Sequence, residues 1–151
     1  MEPQGARIFA QPLADWERDG LKASLARVGL PADDVDDPDL LFWRFESDDV
    51  PAGFAGIEIF GQDALLRSLV TLPPVRGRGI GTAMVAKMET EARARGARAI
   101  YLVADGNVPF FARLGYAPCG RDGVPPAIAT SAQFVRLCSA SASATAMAKQ
   151  V

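Results

Sequence analysis

The sequence predicts a single mixed α/β domain, an antiparallel meander followed by a β-α-β-α-β run. Three observations point there. Between Leu41 and Leu72, three apolar strand-length runs are separated by the turn clusters Ser47-Asp48-Asp49-Val50-Pro51 and Gly61-Gln62-Asp63. After Gly81 the pattern becomes helical, with Ile80, Met84, Met88 and Ala92 at i, i+4 spacing. The 151 residues are 49% hydrophobic and 23% charged, the balance of one soluble domain with its own core.

At the N-terminal end, Ala6-Arg7-Ile8-Phe9 is a short strand candidate. A helical stretch follows in which Trp16, Leu21, Leu25 and Val28 recur at near-helical spacing, ended by Gly29. Trp16 and Trp43 read as core anchors. The acidic run Pro31 to Asp39 is a solvated connection. Strands are expected at Leu41–Phe45, Gly53–Phe60 and Ala64–Leu72. The next helix carries Lys87, Glu91 and Arg95 on a second face and is capped by Gly96. Ile100–Val103 is a buried strand, Pro109–Leu114 a short helix ended by Gly115, and Val124–Leu137 starts Pro-rich and holds one more helix. Residues 138–146 alternate Ser or Cys with Ala, so the core spans about 6–137 and 138–151 is either an edge strand or a frayed tail.

Composition excludes several chemistries. There is no histidine, which removes Ser-His-Asp and Cys-His nucleophiles and imidazole acid/base catalysis. Two cysteines without histidine make neither a disulfide framework nor an ordinary zinc site, so no metal is expected. The start of the chain lacks a basic head followed by an apolar stretch, and nowhere do about 18 apolar residues run unbroken. The expected location is cytoplasmic, with no membrane partner. Net charge is −2, but residues 1–66 carry 5 basic and 14 acidic side chains while residues 67–121 carry 9 basic and 3 acidic. A basic stretch inside an acidic protein argues against nucleic-acid binding and fits a local site for a small anion.

That stretch holds Pro73-Pro74-Val75-Arg76-Gly77-Arg78-Gly79-Ile80-Gly81-Thr82, between a strand and an amphipathic helix. The first amides of a helix have no internal partner and sit at the positive end of its dipole, and glycines let a ligand approach them. Arg76 and Arg78 add charge beside them. The plainer reading is a helix start with two surface arginines, but three alternate glycines carry an entropic penalty that a simple turn does not require. A Walker loop would end in Gly-Lys-Ser/Thr, and a dinucleotide fingerprint would need different glycine spacing; neither is present.

Arg76-x-x-Gly79-x-Gly81, after a strand ending at Pro73 and before Met84-Val85, resembles the acetyl-CoA loop of the GNAT N-acetyltransferases. Phe110-Phe111-Ala112-Arg113-Leu114-Gly115-Tyr116 resembles the second cofactor motif of that family. More finely, Ala64 to Val70, Phe110 to Tyr116, and Pro125-Pro126-Ala127-Ile128 through Phe134 to Cys138 are similar to the members found in arsenic-resistance operons. The resemblance implies a GNAT fold and acetyl-CoA as co-substrate. Amides of Arg76, Gly77, Arg78, Gly79, Ile80, Gly81 and Thr82 would hold the pyrophosphate, and Leu69, Val70 and Thr71 would pair with the pantetheine arm. The thioester would lie between that strand end and the strand around Ile100–Val103. The resemblance also allows a homodimer.

Phe111 stands where many members have a tyrosine that protonates the departing thiolate, and Ala104 stands where an asparagine often opens the motif. A missing acid slows transfer by about 10²–10⁴-fold without forbidding it, and a thiol of pKa about 8.5 is a tolerable leaving group. Tyr101 and Tyr116 are substitutes, though both also read as core residues. An α-amine is roughly 10–17% neutral at pH 7 and a lysine amine about 0.04%, so a site without an evident strong base favours small α-amino substrates.

Glu58 and Arg67 are charges inside apolar strands. A two-residue turn at Gly61-Gln62 sets Glu58 opposite Leu65 and Arg67 opposite Gly56, which puts both charges on one sheet face. They form either a structural ion pair or a substrate site, in which Arg67 binds a carboxylate or oxyanion and Glu58 steers the amine or takes its proton through water. Ser68 is a further substrate-side candidate, or a serine bonded to backbone. Cys119 and Cys138 read as isolated thiols. The function expected is acetyl transfer from acetyl-CoA to a small amine, by resemblance a toxic or arsenic-bearing amino acid, directly and without a covalent enzyme intermediate. The rivals are a non-catalytic acetyl-CoA sensor and a binder of another phosphorylated nucleotide.

Overall fold

The computed structural model describes residues 8–30, 32, 35–37, 40–72 and 79–151. Strand β1, Ile8–Pro12, lies at the sheet edge and pairs antiparallel with β2, Leu40–Ser47, from Ile8↔Ser47 to Pro12↔Trp43. It runs further than the expected Ala6–Phe9, whose first two residues lie outside the described ones; an edge position tolerates the donor lost at Pro12. A 3₁₀ turn at Asp15–Glu17 then leads into helix α1, Arg18–Arg27, which ends at Gly29 with φ +73°. Glu17 accepts from the Ala14 amide at 3.0 Å and pairs with Arg44 Nε at 2.5 Å.

Leu21 and Leu25 of α1 are fully buried, but Trp16 is 82% exposed. The expectation of Trp16 as a core anchor is corrected here. Trp16 belongs to the 3₁₀ turn, whose three-residue period rotates it off the face that Leu21 and Leu25 present. Val28, beyond the last helical residue, is exposed as well. Trp43, on β2, is 5% exposed and does anchor the core.

Asp48 and Asp49, with φ of 51° and 65°, form the two-residue turn from β2 into β3, Val50–Phe60. Two successive left-handed residues match the twist of a tight hairpin. Gly61, with φ +65°, and Gln62 turn β3 into β4, Asp63–Thr71. Helix α2 spans Ile80–Ala94, and its Ile80, Met84, Met88 and Ala92 are all buried, as their spacing requires. Gly96, with φ +92°, closes it. Strand β5, Ala99–Ala104, pairs parallel with β4 through Asp63↔Ala99, Ala64↔Ile100 and Leu65↔Tyr101. Helix α3, Val108–Arg113, starts with Pro109 in its first turn, where proline's missing donor costs nothing.

The C-terminal third departs from expectation twice. The single helix expected over Val124–Leu137 is two helices, α4 at Pro126–Ala129 and α5 at Ala132–Ala140. Ser131 divides them: its Oγ donates to Ile128 O at 2.7 Å and accepts from Phe134 N at 3.4 Å, capping α5. The Ser/Ala alternation is neither an edge strand nor a frayed tail. Its first part completes α5, and its end opens β7, Thr145–Gln150. Strand β7 pairs antiparallel with β5 on one side and with the short β6, Ala117–Pro118, on the other. Among the described residues seven strands follow the order β1-β2-β3-β4-β5-β7-β6, a mixed sheet in which β4 and β5 run parallel. No helix among the described residues is long and apolar enough to cross a membrane.

The described residues divide into two compact units, one drawn from within Met1–Ile57 and Ser68–Thr90, the other from Glu58–Arg67 and Glu91–Val151. The first is built on Leu21, Leu25, Val35, Leu40, Phe42 and Val70. The second is built on Leu65, Val124, Ile128, Phe134, Cys138 and Ala146.

Candidate active site

In the first unit the distinctive geometry is in the main chain. Ser68, buried inside β4, has φ +58°, a left-handed conformation that a non-glycine residue adopts in a strand only where the regular ladder is interrupted. Just beyond it the backbones of β3 and β4 come very close. A Cβ on Gly53 would stand 2.0 Å from Val70 O, so only glycine fits there. Leu72 N still donates to Ala52 O at 2.8 Å, so the pairing continues past the Thr71 end of β4. Leu69 and Thr71 are half-buried, and Val70 is buried.

Gly79 precedes α2 with φ +72°, and no atom would stand within 4 Å of a Cβ built on it. Ile80 turns its side chain into the core, leaving its amide as the part available to a ligand, while Gly81 is half-buried and Thr82 exposed. The first turn of α2 has no acidic side chain, so the positive end of a fifteen-residue helix keeps its charge. These residues fit a phosphate-bearing ligand. Arg76, Gly77 and Arg78, the other half of the expected loop, lie outside the described residues.

In the second unit the distinctive groups are side chains. Arg67 Nη1 lies 3.9 Å from Glu58 Oε1, with the Arg67 side chain 0% and the Glu58 side chain 23% exposed. The two-residue turn at Gly61-Gln62 produces this pairing by placing both charges on the Leu65 face of the hairpin. A guanidinium sealed from water is a fixed fork of donors, suited to a carboxylate or oxyanion. Glu58, partly open, can exchange protons with solvent.

Phe111 is buried, with its ring edge-on to Phe110 at 4.9 Å and to Tyr116 at 5.8 Å. The position is part of an aromatic core and carries no hydroxyl. Tyr116 is 2% exposed, and Lys149 Nζ lies 5.6 Å from its ring centre. Tyr101 packs against the Leu65 cluster; burial first, then Asp63 and Cys119, push its hydroxyl above the ordinary value of 10.0. Cys119 and Cys138 are free thiols of that same cluster, and burial raises the Cys119 thiol above 9.0. Among the described residues no group of three or more metal-ligating side chains gathers.

Sequence reasoning missed Gln133. It is 2% exposed, and neither its Oε1 nor its Nε2 has a hydrogen-bond partner among the described residues. The only signal was one polar residue beside Phe134 and Cys138, legible once Ser131 fixes where α5 begins.

A family model described as the acetyltransferase (GNAT) family matches residues 7–116. The chain belongs to the GNAT acetyltransferase family. N-alpha-acetyltransferase 80 of Mus musculus is 40% identical over 52 residues, 34% of this chain and 17% of the mouse protein. N-acetylglutamate synthase from Neisseria gonorrhoeae, complexed with coenzyme A and N-acetyl-glutamate, matches with a TM-score of 0.78 at 15% identity, over 97% of this chain and 36% of that one. A Mycobacterium tuberculosis protein in complex with CoA matches with a TM-score of 0.76 at 17% identity, over 95% of this chain and 99% of that one. At these identities the solved structures establish the fold. The chain thus spans about a sixth of the mouse protein and about a third of the gonococcal one.

Proposed function

We propose that this protein transfers the acetyl group of acetyl-CoA to the amine of a small, oxyanion-bearing α-amino compound. Family membership supports the reaction class. The observation that carries the acceptor class is the buried Arg67 guanidinium beside the partly open Glu58 carboxylate, 3.9 Å apart. The similarity of residues 64–70, 110–116 and 125–138 to members found in arsenic-resistance operons adds a finer reading, in which the acceptor is a toxic or arsenic-bearing amino acid.

Acetyl-CoA, when bound, supplies a thioester carbonyl; the amine forms the new C–N bond, the C–S bond breaks, and CoA leaves as a thiolate that takes its proton from solvent. Amides of Gly79 to Thr82, with Arg76, Gly77 and Arg78, would hold the pyrophosphate, and Leu69 to Thr71 would hold the pantetheine arm. Arg67 would fix the acceptor's carboxylate or oxyanion. Glu58 would take the proton released by the amine through a water, and Ser68 would lend its hydroxyl to the substrate. With Phe111 in place of a tyrosine, the thiolate departs on its own acidity.

The test is release of CoA thiol from acetyl-CoA against phosphinic and arsenical amino acids, ordinary amino acids, polyamines and a lysine peptide. Turnover is expected with small α-amino acids. Arg67→Leu should raise the acceptor KM about 10–100-fold and leave the acetyl-CoA KM within about twofold. Equal effects on both would remove Arg67 from the acceptor site. The buried, hydroxyl-free Phe111 also supports a second reading, a non-catalytic acetyl-CoA sensor. Tight acetyl-CoA binding with no turnover on any amine would favour it.

A further inference from the structure

We propose that Gln133 is a specificity-determining residue of the acceptor site, reading a hydrogen-bonding group of the acceptor next to the one held by Arg67. The inference rests on the acetyltransfer reading above. It starts from burial. Gln133 is 2% exposed, with both ends of its amide unpartnered among the described residues, and leaving two such groups unsatisfied in an apolar interior is costly. A helix can avoid that cost by turning the residue to solvent, as α5 does with Arg136. Here the Ser131 cap and the packing of Phe134 and Cys138 fix the rotation that keeps Gln133 inside.

The helix that carries it packs on the relevant sheet face. Phe134 and Cys138 of α5 pack in one cluster with Leu65 of β4. Arg67 lies two residues beyond Leu65 on the same strand, and therefore on the same side of the sheet. So α5 covers the sheet face that carries Arg67 and Glu58, and the same compact unit buries the Arg67 guanidinium and the Gln133 amide, each residue 2% exposed.

The two groups are chemically complementary. Arg67 offers donors only, whereas a glutamine amide offers a donor and an acceptor. Together they suit a compact ligand with an oxyanion and a hydrogen-bond donor, which is the polar end of an amino acid or its phosphinic or arsenical analogue. Val124, Ile128 and Phe134, clustered with Leu65 in the same unit, would leave the rest of the recognition apolar. A site built to hydrogen-bond its ligand rejects analogues lacking the bond far more strongly than an apolar pocket does.

The experiment compares wild type with Gln133→Met and Gln133→Glu. It measures kcat/KM for the acceptor and for acetyl-CoA separately, and thermal melting without ligand. Methionine keeps the length and removes the amide; glutamate keeps the acceptor oxygens and loses the donor. The expected result for both is an acceptor kcat/KM lower by about 10–100-fold, an acetyl-CoA KM within about twofold, and for Gln133→Met a melting temperature equal to wild type or higher. Acceptor kinetics unchanged within twofold in whichever variant folds would overturn the assignment and make Gln133 a purely structural residue. An equal loss for both substrates would overturn it too. Absence of wild-type turnover on every amine is a different failure: it removes the acetyltransfer reading itself and this inference with it.

Discussion

The two compact units prepare recognition in different ways. In the one containing Ser68–Thr90, the distinctive features belong to the backbone: a left-handed Ser68, a glycine whose Cβ would strike Val70 O, and a helix start free of acidic side chains. In the one containing Glu58–Arg67, they belong to side chains: a sealed guanidinium, a partly open carboxylate and a buried amide. Backbone groups are the same whatever the residue, so a backbone site suits a ligand common to a whole family. Side chains vary freely, so a side-chain site suits the acceptor, which differs from one acetyltransferase to another.

The sharpest way to break the comparison is at Gly53. A side chain there meets a backbone carbonyl at 2.0 Å, which no rotamer change relieves. Gly53→Val should cost more than about 4 kcal/mol and abolish cooperative melting. A variant that melts like wild type would mean that the close approach of β3 to β4 is not required. By contrast, Gln133→Met should leave melting intact, so the two units would respond oppositely to one small substitution each.

The tryptophans sharpen the point within one unit. Trp43→Ala should cost about 3–5 kcal/mol, because it empties a core position 5% exposed. Trp16→Ala, at 82% exposure, should change stability by no more than about 0.5 kcal/mol in denaturant melts. Comparable losses at both would place Trp16 in a core after all.

The smallest effect is expected at Cys119 in the second unit. Burial raises its thiol above 9.0, so at pH 8 it holds less thiolate than a free cysteine and should react more slowly with iodoacetamide. The sign for stability follows: a folded-state value above the unfolded one contributes stability below about pH 9, lost as pH rises through the raised value. Alkylation faster than that of a free thiol at pH 8 would contradict the burial.

Much of this was legible from residue order. Strand β4 and helix α2 on either side of the glycine loop were readable because each has a local cause: alternation in the strand, and a periodicity of about 3.6 residues after Gly79 with its positive φ. The Glu58–Arg67 pairing was readable because a two-residue turn fixes hairpin register. Three features were not. Trp16 fitted a helical period, yet the chain enters α1 through a 3₁₀ turn whose rotation differs. Residues 138–146 carried a strand-like alternation, but the first of them finish a helix and only the last open β7, which gains its partners from β5 and β6.

Gln133 is the clearest case of what tertiary structure alone decides. By itself the sequence determined the fold class, helix α2 and the hairpin, because short-range sterics and periodicity act between neighbours along the chain. Which polar side chain is sealed against the sheet depends on where Ser131 starts α5 and on which face packs against Leu65, sixty-six residues earlier in the chain. Burial is a sum over contacts distant in sequence, and no local pattern contains that sum.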